Sequence, residues 1–296
     1  MTQQLFTEAP RLPDEPAPAR RRSVRRTRKP YLRPALLPAA IVLLLAVLAA
    51  LAPGLLTGRD PLAAVPAERL LAPDWSHPFG TDEIGRDLLT RVIYGAGASL
   101  GAMLLAVAIG FAIGAVIGLV SGFAAGRVDG VLMRIVDMVL AIPTLLLTLA
   151  LVTALGFGTV HVAIAVGLGN AAGFARLMRA QVLRVRTADY VDAAAATGAR
   201  WYSILGRHVL PNSYGPVLAL ATLNLSAAIL AVSSLSFLGY GAPPPAPEWG
   251  SLIAQGRDYI ATAWWLTALP GLTVAAVALS INAIARALDE ATGASR

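Results

Sequence analysis

Six long apolar runs leave this chain few ways to fold: approximately Pro34 to Leu56, Ala98 to Ala124, Val131 to Leu155, Thr159 to Ala175, Pro216 to Phe237 and Thr262 to Ala285. Runs of this kind approach the roughly 20 apolar residues that cross a bilayer. An unpaired backbone amide is very unfavourable in hydrocarbon, so they are expected to be helices. A transmembrane barrel would need period-two alternation, which these Leu- and Ala-rich stretches lack. The expected fold class is an all-α integral membrane protein with six transmembrane helices. A chain that is 56% hydrophobic and 14% charged suits such a bundle. The chain has no cysteine, which excludes disulfides, thiolate metal sites and a cysteine nucleophile.

Basic residues orient the spans. With the N-terminus inside, the outer segments hold only Arg59, Arg69, Arg86, Arg91 and Arg257 of the 24 Lys and Arg in the chain. That asymmetry predicts both termini in the cytoplasm. The formal charge of +7 then reflects topology and gives no support for nucleic acid as a partner. Residues 1–33 read as a disordered basic cytoplasmic tail held near membrane lipid, with Arg20, Arg21, Arg22 and Arg25 among its cations. Residues 34–296 form the transmembrane domain, with an outer loop at 57–97 and a cytoplasmic loop at 176–215. A cleaved signal peptide is the competing reading of the first span, with Ala49, Ala50 and Ala52 as small residues. The apolar run is longer than a signal core, which favours an anchor that is kept.

No Lys, Arg, Asp, Glu or His lies near the middle of any expected span, so an intramembrane proton relay or charged-substrate site is unsupported. Arg134 and Asp137, three apart at the inner end of the third span, are placed to pair. The only histidines, His77, His161 and His208, fall on different sides and cannot form one catalytic site. No metal cluster is expected, and the chain reads as no enzyme. There is no P-loop, so any ATP must be used by a partner.

Three segments stand out. In the second span Gly110, Gly114, Gly118 and Gly122 recur every four residues, a face on which another helix can approach closely. On the outer side, Asp82, Glu83, Arg86 and Asp87 cluster in GTDEIGRD. This is either a solvated loop or a gate or contact for an outer partner. On the inner side, Tyr190 to Asn212 reads as helix, turn and second helix. Its first half carries Asp192, Ala193 and Ala194. Gly198 breaks it, Trp201, Ile204, Leu205 and His208 recur at helical spacing, and Arg200 and Arg207 lie off that stripe. Pro211 and Asn212 are expected to end the unit. An amphipathic connector on the lipid surface is the plainer alternative.

These residues resemble a known family over nearly the whole chain after the tail. YVDAAAATGARWYSILGRHVLP, from Tyr190 to Pro211, is similar to the EAA loop of ABC importer permeases. There an acidic residue and two alanines precede a glycine and then a Leu-Pro pair, here Asp192, Ala193, Ala194, Gly198, Leu210 and Pro211. Asp stands where Glu is usual. HPFGTDEIGRDLLTRVIYGAGASL from His77, GRVDGVLMRIVDMVLAIP from Gly126 and SLSFLGYGAPPPAPEWGSL from Ser234 narrow the likeness to the C-type permease of the dipeptide, oligopeptide and nickel group. Val232, where an acidic residue is common, and the terminal NAIARALDEATG depart from the pattern.

The resemblance implies a type I ABC importer permease fold and a multi-pass protein of a bacterial or archaeal inner membrane. It also implies a related permease as heterodimer partner, two cytoplasmic ATPase subunits or domains that use ATP and Mg, and an extracytoplasmic binding protein. The EAA-type loop would seat in the ATPase, with Asp192 and Arg200 as polar contacts, Trp201, Ile204 and Leu205 as apolar anchors and Gly198 as the turn. Peptide is favoured as cargo over nickel because the spans hold no cluster of imidazole or thioether ligands. A six-span membrane enzyme or a scaffold is the remaining alternative.

Overall fold

The computed structural model describes residues 36–293. The basic tail and the first two residues of the expected first span lie outside the described residues. Ten helices follow in order: α1 (Leu36–Leu51), α2 (Leu88–Ala124), α3 (Gly126–Leu140), α4 (Thr144–Leu155), α5 (Thr159–Arg186), α6 (Asp189–Ala196), α7 (Trp201–Ile204), α8 (Leu210–Leu235), α9 (Trp249–Gly256) and α10 (Trp265–Gly293). Four helical stretches are long and apolar enough to cross a membrane: α2, α5, the run from Trp201 to Tyr240, and α10. A fifth span exists if α3 and α4 count as one. With 16 residues, α1 is shorter than a full crossing.

The expected third span is broken. Between α3 and α4 the axis turns by 95° at Ala141–Pro143. Proline lacks the N–H that would continue the helix, and it pushes the preceding residue, Ile142, out of helical geometry. Asp137 pairs with Arg176 of α5 at 2.7 Å rather than with Arg134. A helix bent this sharply brings its polar edge onto its neighbour.

Two expected loops are shorter than the sequence suggested. The Asp87 carboxylate caps the N-terminus of α2 by accepting from the Thr90 N–H at 2.8 Å. That starts α2 ten residues before Ala98 and trims the outer loop from 57–97. On the inner side α5 runs on to Arg186, past the expected end at Ala175. Its polar extension is held by neighbours: Arg179 makes two bonds of 2.6 Å to Asp129 of α3, and Arg186 donates to the Phe123 carbonyl of α2 at 2.9 Å. Ser121 of α2 also donates to Asp129.

The glycine face of α2 lies on α5. A methyl at Gly110 would sit 2.9 Å from the Gly167 carbonyl, and one at Gly118 would sit 2.6 Å from Met178 Cβ. One at Gly122 would sit 2.8 Å from Val182 Cβ, and Gly114 is equally crowded by Phe174. Without side chains the two backbones approach closely and gain dispersion contacts along more than three turns. The matched positions advance together, so α2 and α5 are parallel. The N-terminal end of α2 therefore lies at the opposite end of the bundle from the C-terminal end of α5. The main core joins residues of α1, α2, α5, α8, α9 and α10, among them Met103, Phe174, Met178, Ile229, Trp249 and Val277.

Candidate functional site: an inner helix-turn-helix and an outer cap

The inner segment is built by backbone chemistry that its sequence dictates. Alanines favour the short helix α6, which Gly198 ends at φ +81°, a conformation that side chains rarely adopt. The Ala199 N–H donates to the Ala194 carbonyl at 3.2 Å and the Gly198 N–H to the Ala195 carbonyl at 3.0 Å. This pair of bonds satisfies carbonyls that the helix end would leave open. Nothing lies within 4 Å of a methyl placed at Gly198, so the backbone angle, not crowding, demands glycine.

The second helix does not stop at Pro211 and Asn212. It passes from α7 through a wide π-type turn, Leu205–Val209, directly into α8. Pro211 falls in the first turn of α8, where its missing N–H and its ring are accommodated by the looser winding just before it. Helical backbone thus runs from Trp201 through α8 to Leu238, and Gly239 at φ +97° breaks it. On the other flank only Thr187 and Ala188 separate α5 from α6.

The side chains divide in two. Ile204 and Leu205 are half-buried against the chain's own core beside Val191 and Val209, and so fasten the segment to the bundle. The His208 ring meets that of Tyr190 at 6.3 Å between centroids. Tyr190, Asp192, Ala193, Arg200 and Trp201 are exposed, Trp201 at 65%. Ala194 is half-buried, and Leu210 and Pro211 are exposed. Arg200 donates to the Tyr202 hydroxyl at 2.9 Å. The Asp192 carboxylate has no hydrogen-bond or ion-pair partner among the described residues. A cleft of about 500 Å³, lined in part by Arg184, Tyr190, Pro211, Asn212 and Tyr214, opens beside the segment.

The outer residues behave differently, and the solvated reading of them fails. Asp82 is 2% exposed and Arg86 5%. Asp82 Oδ2 accepts from Arg86 Nε at 2.6 Å and from Arg91 Nη1 at 2.5 Å, while Oδ1 accepts from the N–H groups of Ile84 and Arg86 at 3.0 and 2.9 Å. Burial raises the Asp82 pKa, but these donors outweigh burial and hold the carboxyl below its ordinary range. Glu83 takes the outer side of Arg86 at 3.2 Å. Asp87 is also lowered, its burial outweighed by Thr90 and His77. Three of the four expected contact residues therefore point their charge inward.

Sequence reasoning passed over a second outer element. Glu248, fully buried, caps α9 by accepting from Gly250 and Ser251 N–H groups at 3.0 and 2.9 Å and from Ser99 of α2 at 3.2 Å. Trp249 donates from its indole to the Val92 carbonyl at 2.8 Å. Glu248 at the cap and Ser251 three residues on reverse the usual order of a capping box, so no standard start signal marked α9. Nothing local signalled Asp129 and Arg179, which lie 50 positions apart.

Parallel membrane-length helices, closely packed on glycine and interrupted by an exposed helix-turn-helix, define an all-α multi-pass membrane bundle. The arrangement resembles that of a chain in the inward-facing MetNI methionine ABC transporter, with TM-score 0.51 and 20% identity, covering 67% of this chain and 95% of that one. This is the type I importer permease fold. Residues 110–293 match the family of binding-protein-dependent transport system inner membrane components, and the chain belongs to that family. The probable D,D-dipeptide transport system permease protein DdpC of Escherichia coli is 39% identical over 244 residues, 82% of each chain. The di/tripeptide transport system permease protein DppC of Pseudomonas aeruginosa is 40% identical over 213 residues, 72% of this chain and 70% of that one. The likeness read from the motifs thus extends over most of the chain, which is a multi-pass inner-membrane ABC importer permease.

Proposed function

We propose that this chain is one of two permease subunits of an ATP-driven importer of di- or oligopeptides, and forms half of the translocation pathway. Residues 34–296 form one transmembrane domain of six spans with both termini in the cytoplasm. Its partners are a related permease, two ATPase subunits that bind ATP and Mg, and an extracytoplasmic binding protein. The peptide transport named for its relatives supports the cargo class.

The observation that carries the coupling role is the unbroken helix from the exposed Trp201 into α8. A force applied at Trp201 moves α8 as a lever, because a helix resists bending more than a loop does. Asp192, Tyr190, Arg200 and Trp201 form the contact with the ATPase. Ala193 and Ala194 keep the first helix slim, and Gly198 sets the angle between the two helices. Ile204, Leu205, His208, Leu210 and Pro211 join the contact to the bundle. The tight α2–α5 seam moves as a unit, so closure of the ATPases is converted into alternating access.

The test is Gly198→Val in the reconstituted importer. The branched side chain is strained at positive φ, so ATP hydrolysis should persist while uptake of a labelled dipeptide falls at least tenfold, with normal membrane insertion. Normal uptake would overturn the coupling role.

A further inference from the structure

The loop before α2 carries a feature that neither the ion cluster nor the bundle uses. Trp75 is fully exposed, at 103% of the reference area, whereas Trp249 and Trp265 are buried. A bare indole on a floppy segment would mean little. Here the segment is tied at both ends of a compact loop. At its base the Thr81 N–H donates to the Leu71 carbonyl at 3.1 Å and the Leu71 N–H to Thr81 Oγ1 at 2.8 Å. At its tip Asp74 accepts from the Ser76 hydroxyl at 2.7 Å and the His77 N–H at 2.6 Å, and its own N–H donates to the His77 carbonyl at 3.0 Å. His77 is in turn bonded through Nδ1 to Asp87, the cap of α2, at 2.9 Å.

Such a loop holds the backbone on both sides of one large aromatic ring in place, so docking the ring has little backbone left to order, which favours an interface anchor. The loop lies at the α2 N-terminal end, opposite the inner helix-turn-helix, so an ATPase docked there cannot reach it. Around His77 the face carries both charges, Glu68 3.5 Å from Nε2 and Arg59 3.2 Å from Nδ1, so it offers anionic headgroups no basic cluster to bind. The family's transport depends on a binding protein, which must meet the outer face.

We propose that Trp75 is the anchor by which this chain holds the extracytoplasmic binding protein, seated in an apolar pocket of that protein. The bonds from Asp74 through His77 to Asp87 then connect the docked protein to the first turn of α2. This inference rests on the importer reading above and assigns the outer contact to Trp75 instead of Asp82 or Arg86.

The test uses the complete importer in proteoliposomes, with the binding protein that stimulates ATP hydrolysis by the wild-type complex. Trp75→Ala should raise the binding-protein concentration for half-maximal stimulation at least tenfold, with the maximal rate regained at saturation, and Trp75→Phe should recover most of the loss. An unchanged half-saturating concentration, or a lowered maximum alone, would overturn the proposal. A photocrosslinking amino acid at position 75 should capture the binding protein; capture only of the partner permease or of lipid would also overturn it. A wild-type complex that no binding protein stimulates would overturn the importer reading and this proposal together, an outcome distinct from failure of the Trp75 variants alone.

Discussion

Before the first turn of α2 the Asp82 carboxylate meets two arginines within 2.6 Å, at 2% exposure. At the opposite end of the bundle the Asp192 carboxylate, in a stretch equally polar by sequence, stands exposed with no partner among the described residues. Both regions interrupt an apolar chain, yet one spends its charges on its own structure and the other leaves them facing outward. A charge already satisfied inside a fold has little left to offer a partner. Availability, not polarity, separates an element that stabilises from one that docks.

The largest effect that sharpens this contrast is expected from breaking the outer network. Replacing Asp82 with Ala leaves the buried Arg91 without its carboxylate partner and Arg86 with Glu83 alone, and should cost about 3–5 kcal/mol. Thermal unfolding of the detergent-solubilised protein would show it as a large fall in Tm. Asp192→Ala should shift Tm hardly at all, within about 0.5 kcal/mol, yet abolish most transport. If the two variants had the same effect on Tm, the contrast would collapse.

Next in size is Gly118→Leu, which forces α2 away from α5 and should destabilise by about 1–3 kcal/mol by overpacking, with impaired assembly seen by size-exclusion chromatography. Smaller again is the pH response of the outer cap. Asp82 and Asp87 have lowered pKa values in the folded protein, so their stabilisation is complete above the ordinary carboxylate range. It is lost as pH falls through the lowered folded values, so Tm should be level from pH 5 to 8 and decline below about pH 4. A variant carrying Asp82→Asn should show a flatter decline. The smallest effect is expected from Asp192→Glu, which keeps the charge and extends its reach. Transport rate should change by less than about twofold.

Much of this was legible in the sequence because apolar runs and glycine spacing are local signals. The Gly110 to Gly122 face, the break at Gly198 and the membrane class all follow from neighbours in the chain. The bend at Pro143 was also local, but an unbroken apolar run on both sides hid it. What could not be read was pairing across distance. Arg179 with Asp129 and Glu248 with Ser99 need the fold before they meet, and so does the burial that turns Asp82 and Arg86 inward. The extension of the loop helix through Pro211 was hidden for a different reason. A proline usually marks a helix boundary, and only the wide turn at Leu205–Val209 lets the winding continue.

The most direct measurement of the coupling role uses the absence of cysteine in the chain. Trp201→Cys supplies a unique thiol at the start of the helix that enters α8. In the assembled importer a short bifunctional reagent should link this thiol to an ATPase subunit, with a yield that changes when ATP is bound. Linkage to other chains only, or a yield indifferent to ATP, would contradict the account.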